Sequence, residues 1–217
     1  MTNLSESAAR KAKSIAILRS EDVPVLEVLG EIETEPESIR RTEREVVHRT
    51  IALFIVAIRG ATSDDVLSSK LIDQFGAVDY FTPDEREFIN NENPTKETQA
   101  QFSWRFECAF VLLWSLGFVE HLGRPTSTCD VYWINDFLNK HGEQGLLKNS
   151  QLRAQSEILD AADLIFRYHW AVRNANLNGQ ATPGYLNSDV VAEWHYALNW
   201  LIGCCEEVEW DEISTDT

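Results

Sequence analysis

A chain of 217 residues with 44% hydrophobic residues has the size of one domain, or of one domain with a small lobe, and can bury a sizeable core. Its 19 Lys and Arg stand against 35 Asp and Glu, a formal net charge of −16. That argues against a nucleic-acid surface, which needs cations to neutralise phosphates, and against docking to anionic membranes. An acidic solvated shell is the default reading, and a basic protein partner is compatible with it.

Ser7 to Ser20 reads as a helix, and Val23-Pro24-Val25 breaks the pattern. The acidic stretch Leu29 to Glu37 contains Pro36 and reads as a loop. A second helix is expected from about Ser38 to Arg59, charged at its start and apolar at its end, with Gly60 as its stop. A shorter one follows over Asp64 to Phe75 and ends at Gly76. Thr82-Pro83-Asp84-Glu85 has the form of a capping box with Pro at the first helical position. The helix it opens is closed by Asn90, Asn91, Asn93 and Pro94.

From about Thr95 to Gly117 a core helix is expected, apolar all round in its second half, with Arg105 and Glu107 embedded. Thr128 or Asp130 caps the next helix, which runs through His141 and is set apart from its successor by Gly142 and Gly145. The chain's dominant element is then a long helix from Ser150 to Gly179, with Ser150 or Asn149 as its N-cap. Its apolar residues cover most of the circumference, so it is surrounded by other elements. Asp160, Asp163, Arg167 and Asn174 form a narrow polar stripe that faces water or a neighbouring helix. Asp163 and Arg167 have the favourable i,i+4 order. His169 and Arg173 fall inside the apolar arc. For Arg173 three placements stand: a buried ion pair, a side chain reaching past the helix end, or the wall of an anion or substrate pocket. A last helix, Asp189 to about Cys205, leads to an acidic tail in which Trp210 is an apolar anchor.

No strand alternation and no hairpin dipeptide occurs. The fold class is therefore all-α: about eight helices in one orthogonal or bundle-like array around a long buried central helix. The N-terminal helices of residues 7–76 pack on a C-terminal core of residues 95–205, with residues 206–217 as the tail. Cys108, Cys129, Cys204 and Cys205 lack a Cys-x-x-Cys spacing, so reduced thiols in a cytoplasmic compartment are expected. The first residues lack the apolar stretch of a secretory signal. Cys108 to Trp114, the longest apolar run, is too short to span a bilayer.

Three nearly all-apolar helices thus carry charged or titratable residues, and buried polar groups must pair. Arg105, Glu107, His169, Arg173, Glu193 and His195 form a candidate polar cluster at the junction of helices 95–117, 150–178 and 189–205. It is either a satisfied structural network or the wall of a site. Glu193 and His195 lie about 200° apart around a helix and do not readily share an ion. No metal site and no cofactor is expected. The Gly-x-Ser-x-Gly elbow and glycine-rich phosphate loops are missing.

The sequence resembles a family of uncharacterised, mostly bacterial proteins, domain of unknown function 4272. Phe102-Ser103-Trp104-Arg105-x-Glu107 carries the likeness, with Leu113-Trp114-x-Leu116-Gly117. It continues in Glu157-Ile158-Leu159-Asp160-x-x-Asp163-Leu164-x-x-Arg167-x-His169-Trp170-Ala171-x-Arg173 and Glu193-x-His195-x-Ala197-Leu198-Asn199-Trp200-Leu201, and closes in Trp210-Asp211-x-x-x-Thr215-Asp216-Thr217. Where the family often has Arg between the Glu and His of the last helix, this chain has Trp194. The resemblance implies the organisation of the chain rather than a reaction. Two functions follow as expectations. The leading one is a soluble cytoplasmic protein-interaction or structural module, which suits a homodimer or a basic protein partner and needs an exposed apolar patch. The other is an enzyme or small-ligand binder, which needs a concave site reaching the polar cluster.

Overall fold

The computed structural model describes residues 4–204 and 209–217. Within them the chain is all-α, with nine helices, short 3₁₀ turns and no strand. It forms two compact units. One comprises the chain up to Arg40, Gly123–Thr128 and Arg153–Thr217; the other comprises Arg41–Leu122 and Cys129–Leu152.

The first unit holds α1 (Glu6–Ser20), α8 (Gln155–Leu177) and α9 (Ser188–Ile202). Ser5 caps α1 by accepting from the Ala8 N–H at 3.2 Å. Asn187 caps α9 by accepting from the N–H groups of Asp189 and Val190. α8 packs against α1 on one side and α9 on another, burying Leu18, Leu159, Tyr168 and Leu198. It is the long, mostly buried helix that the sequence singles out. At one end of the polar stripe of α8, Asp160 meets α1, pairing with Lys13 and with Arg10 Nε at 3.3 Å. α9 ends at Gly203, with φ 61°. A Cβ there would come within 2.6 Å of Ile39, whose N–H donates to the Ile202 carbonyl at 2.8 Å. A left-handed backbone and a crowded approach both require glycine at that position.

The second unit is built on α2 (Glu43–Thr62), which packs against α3 (Asp65–Phe75), α4 (Pro83–Asn90), α5 (Lys96–Ser103), α6 (Arg105–Ser115) and α7 (Val131–Asn149). Every residue from Thr50 to Ala57 is buried, so α2 is as much a core helix as α8. Phe54 meets the rings of Phe75 and Phe106 edge-on at 6.1 and 6.4 Å. The Thr82 capping box opens α4 as expected, and Asp64 and Gly76 bound α3.

Four boundaries differ from expectation. α2 starts at Glu43 because Thr42 and Glu45 form a second capping box, and it runs through Gly60 to a left-handed Ser63. Gly60 is there for close packing: a Cβ would sit 2.6 Å from both the Gln99 carbonyl oxygen and the Ser103 nitrogen of α5. The expected helix over residues 95–117 is two helices meeting at Trp104. α7 kinks at Gly142 and continues to Asn149, so α8 begins only at Gln155. The Ser150 N–H completes the last turn of α7 by donating to the Leu146 carbonyl, and the Gln151 N–H donates instead to that of Leu116, which takes the chain out of the helix. The expected end of α9 at Cys205 and the acidic Glu206 and Glu207 lie outside the described residues.

Candidate functional site

α8 and α9 both need apolar residues nearly all round, so any polar side chain on their facing arcs must find its partner within the packing. On α8 the first such group is Asp163, fully buried, which accepts from Arg167 Nε at 2.9 Å and Nη2 at 2.7 Å. Arg167 Nη2 also donates to the Gly30 carbonyl at 3.0 Å, which fastens the loop after α1. The spacing points to the pair but not to its burial.

His169 and His195 are brought together. His195 is 2% exposed and His169 7%. Their Nδ1 atoms stand 2.7 Å apart, and the rings meet edge to face at 5.0 Å. Burial, reinforced by the Arg173 charge, pushes the His169 pKa down to about 4. Burial, then His169 and Arg173, push that of His195 down to about 3. Both rings are therefore neutral at neutral pH. One Nδ1–H donates to the other Nδ1, so one ring has its proton on Nδ1 and the other on Nε2.

The remaining cluster candidates are placed differently. Arg173 is exposed near the end of α8, with Nη1 at 3.9 Å from Asp216 and 3.5 Å from Thr217 Oγ1. Glu193 is half-buried on α9. Arg105 and Glu107 lie on α6 in the second unit, where buried Glu107 accepts from the Cys129 N–H at 2.7 Å. Burial and the Glu107 carboxylate raise the Cys129 pKa, which keeps that thiol protonated and unreactive. None of Cys108, Cys129 and Cys204 is in a disulfide.

Asn199 sits one helical turn beyond His195 and belongs to the same site, although the cluster drawn from the sequence omits it. It is 5% exposed, and its Nδ2 donates to the Ser214 carbonyl at 2.8 Å. This bond and buried Trp210 hold the terminal segment on α9. Trp210 packs on the rings of Tyr196 and Trp200, and its carbonyl accepts from the Tyr196 hydroxyl. Trp210 thus anchors the tail, as its isolation among acidic residues indicates. Between segment and helices lies a pocket of about 190 Å³. His195, Asn199, Phe166 and Cys204 line it from the helical side, Ser214 and Asp216 from the terminal segment, and Glu31 to Glu33 from the loop.

A further constellation lies in the second unit. Glu143, just after the Gly142 kink, accepts from the Tyr80 hydroxyl at 2.9 Å and stands 3.0 Å from His48 Nε2. The His48 and Tyr80 rings stack at 3.9 Å. Burial and Glu143 push the Tyr80 pKa up to about 12. The three groups satisfy one another, the behaviour of a structural network.

Among the described residues no group of three or more His, Cys, Asp or Glu is placed to hold a metal ion, and no helix is long and apolar enough to cross a membrane. No curated protein and no solved structure matches the chain. The profile of one family, a domain of unknown function, DUF4272, matches residues 10–213, from α1 through the terminal segment, and the chain belongs to that family.

Proposed function

We propose that the protein is a small-ligand-binding module whose site is the pocket beside the His169–His195 pair. One observation carries the reading. His195 and Asn199 are each at least 95% buried, line the pocket, and keep one polar atom without a protein partner among the described residues: Nε2 of His195 and Oδ1 of Asn199. Both atoms belong to residues that border the pocket, where a ligand can hydrogen-bond to them. The volume is below the ~300–1,000 Å³ of drug-sized sites, which sets the ligand's size.

The interaction-module reading has less support. The large exposed apolar side chains among the described residues include Leu4, Val28, Tyr132, Leu177 and Tyr185, each on a separate element, and Val66, Leu67 and Val78. Scattered exposed apolar residues need no partner.

Native mass spectrometry of the untagged full chain, as purified and after exposure to small polar compounds, tests the pocket. One adduct per chain is expected, lost in Asn199→Leu, which removes the free amide oxygen and fills space. Adducts equally abundant on wild type and variant would place binding elsewhere and overturn the reading.

A further inference from the structure

The wall of the pocket also defines the chemistry of what fills it, an inference that rests on the reading above. Asn199 is oriented by its bond to the Ser214 carbonyl: Nδ2 donates, so the atom left for the pocket is the oxygen Oδ1. An amide oxygen only accepts hydrogen bonds, so the occupant must donate there. His195 lies one turn away on the same face of α9, with Nδ1 committed to His169 and Nε2 uncommitted among the described residues. The charged residues that line the pocket are Glu31, Glu33 and Asp216, all acidic. Arg173 reaches Asp216 only at 3.9 Å and does not line the space. Phe166 adds an aromatic wall, whose quadrupole attracts cations.

We propose that the pocket takes a small organic cation with several N–H groups, a guanidinium or a primary ammonium, which donates to Asn199 Oδ1 and to His195 Nε2 and faces the carboxylates of Glu31, Glu33 and Asp216. The imidazole pair then reports whether the ligand donates or accepts at His195. A donor at His195 Nε2 needs that nitrogen bare. The proton of His195 therefore sits on Nδ1 and is donated to His169 Nδ1, and His169 carries its own proton on Nε2. A ligand that accepts, such as a carboxylate, selects the opposite arrangement, with the proton on His195 Nε2.

The test is a ring ¹⁵N–¹H correlation experiment on the full ¹⁵N-labelled chain near neutral pH. It distinguishes protonated from bare ring nitrogens. Three probes are titrated separately: methylguanidinium, its neutral counterpart methylurea, and acetate. Ligand-efficiency limits place probes this small at dissociation constants of ~0.1–10 mM. Methylguanidinium is expected to shift the His195 signals saturably, to leave Nε2 bare, and to bind at least about tenfold tighter than methylurea. Glu31→Gln combined with Asp216→Asn removes two exposed charges without touching the core, and should weaken methylguanidinium about tenfold while leaving methylurea unchanged. If methylurea or acetate saturates His195 as tightly as methylguanidinium, or if the double variant binds the cation as wild type does, the ligand class is overturned and the pocket reading stands. If none of the three shifts His195 saturably, both are overturned.

Discussion

Acidification should unfold this protein through its imidazole pair before most carboxylates titrate. His169 and His195 have folded pKa values of about 4 and about 3, against an ordinary value of 6.5. The folded values are depressed, so below 6.5 the unfolded chain binds the extra protons. The stability these groups contribute is fully present above pH 6.5 and is lost as pH falls. Each neutral ring costs about 1.4 kcal/mol per pH unit below the unfolded value. Between pH 7 and 5 that is about 2 kcal/mol per ring and about 4 kcal/mol for the pair. In a chain of this size it lowers Tm by about 8–16 °C. Urea unfolding followed by far-ultraviolet circular dichroism at the two pH values measures the loss. The His169→Leu/His195→Leu variant supplies the reference, because it keeps the carboxylates and removes the pair. The expected result is that wild type loses about 4 kcal/mol more than the variant. Equal losses would mean that both rings stay protonatable in the folded chain, and would refute the burial argument.

Three substitutions test the packing, two on α8 and one in the second unit. Asp163→Ala leaves Arg167 charged in an interior where it is 2% exposed, so unfolding stability should fall by about 3–5 kcal/mol. A urea midpoint corresponding to less than about 0.5 kcal/mol would show that the pair is not desolvated in solution. Arg173→Ala, by contrast, removes a side chain that is 45% exposed and loosely paired, and should stay within about 0.5 kcal/mol of wild type in the same assay. Gly60→Ala gains helix propensity of about 1 kcal/mol but drives a Cβ against two backbone atoms of α5 at 2.6 Å. Net destabilisation of about 1–2 kcal/mol is expected, and a stabilised protein in thermal melts would show that α5 moves aside.

Local start and stop signals made much of the fold legible. Thr82 and Asp130 each cap the helix that their side chains announce. Reading failed where a residue has more than one use. Gly60 looks like a stop, yet its missing side chain serves helix–helix contact, and nothing local distinguishes the two roles. Thr42 and Glu45 form a capping box inside a charged run that already reads as helix, so the signal was masked by its surroundings. The turn at Trp104 has no glycine or proline to announce it. Arg173 lies on the apolar arc by angle, but the arc says nothing about how far along α8 the packing extends.

The candidate site was half legible for a related reason. Polar residues on nearly all-apolar helices must pair, and that rule picks out His169 and His195 without saying which partner each takes. Arg167 Nη1 is a buried polar atom without a hydrogen bond, yet Arg167 does not line the pocket. What sets His195 and Asn199 apart is that each spends one polar atom on the fold, towards His169 and Ser214, and keeps a second in residues that border open space. A purely structural interior would gain by closing that space with an apolar side chain and losing both polar atoms, since an apolar core avoids the desolvation cost. The terminal segment makes the difference. Trp210 fixes it on α9, and Ser214 both orients Asn199 and completes the wall. The site thus depends on residues distant in sequence, and no spacing rule within a single helix reaches them.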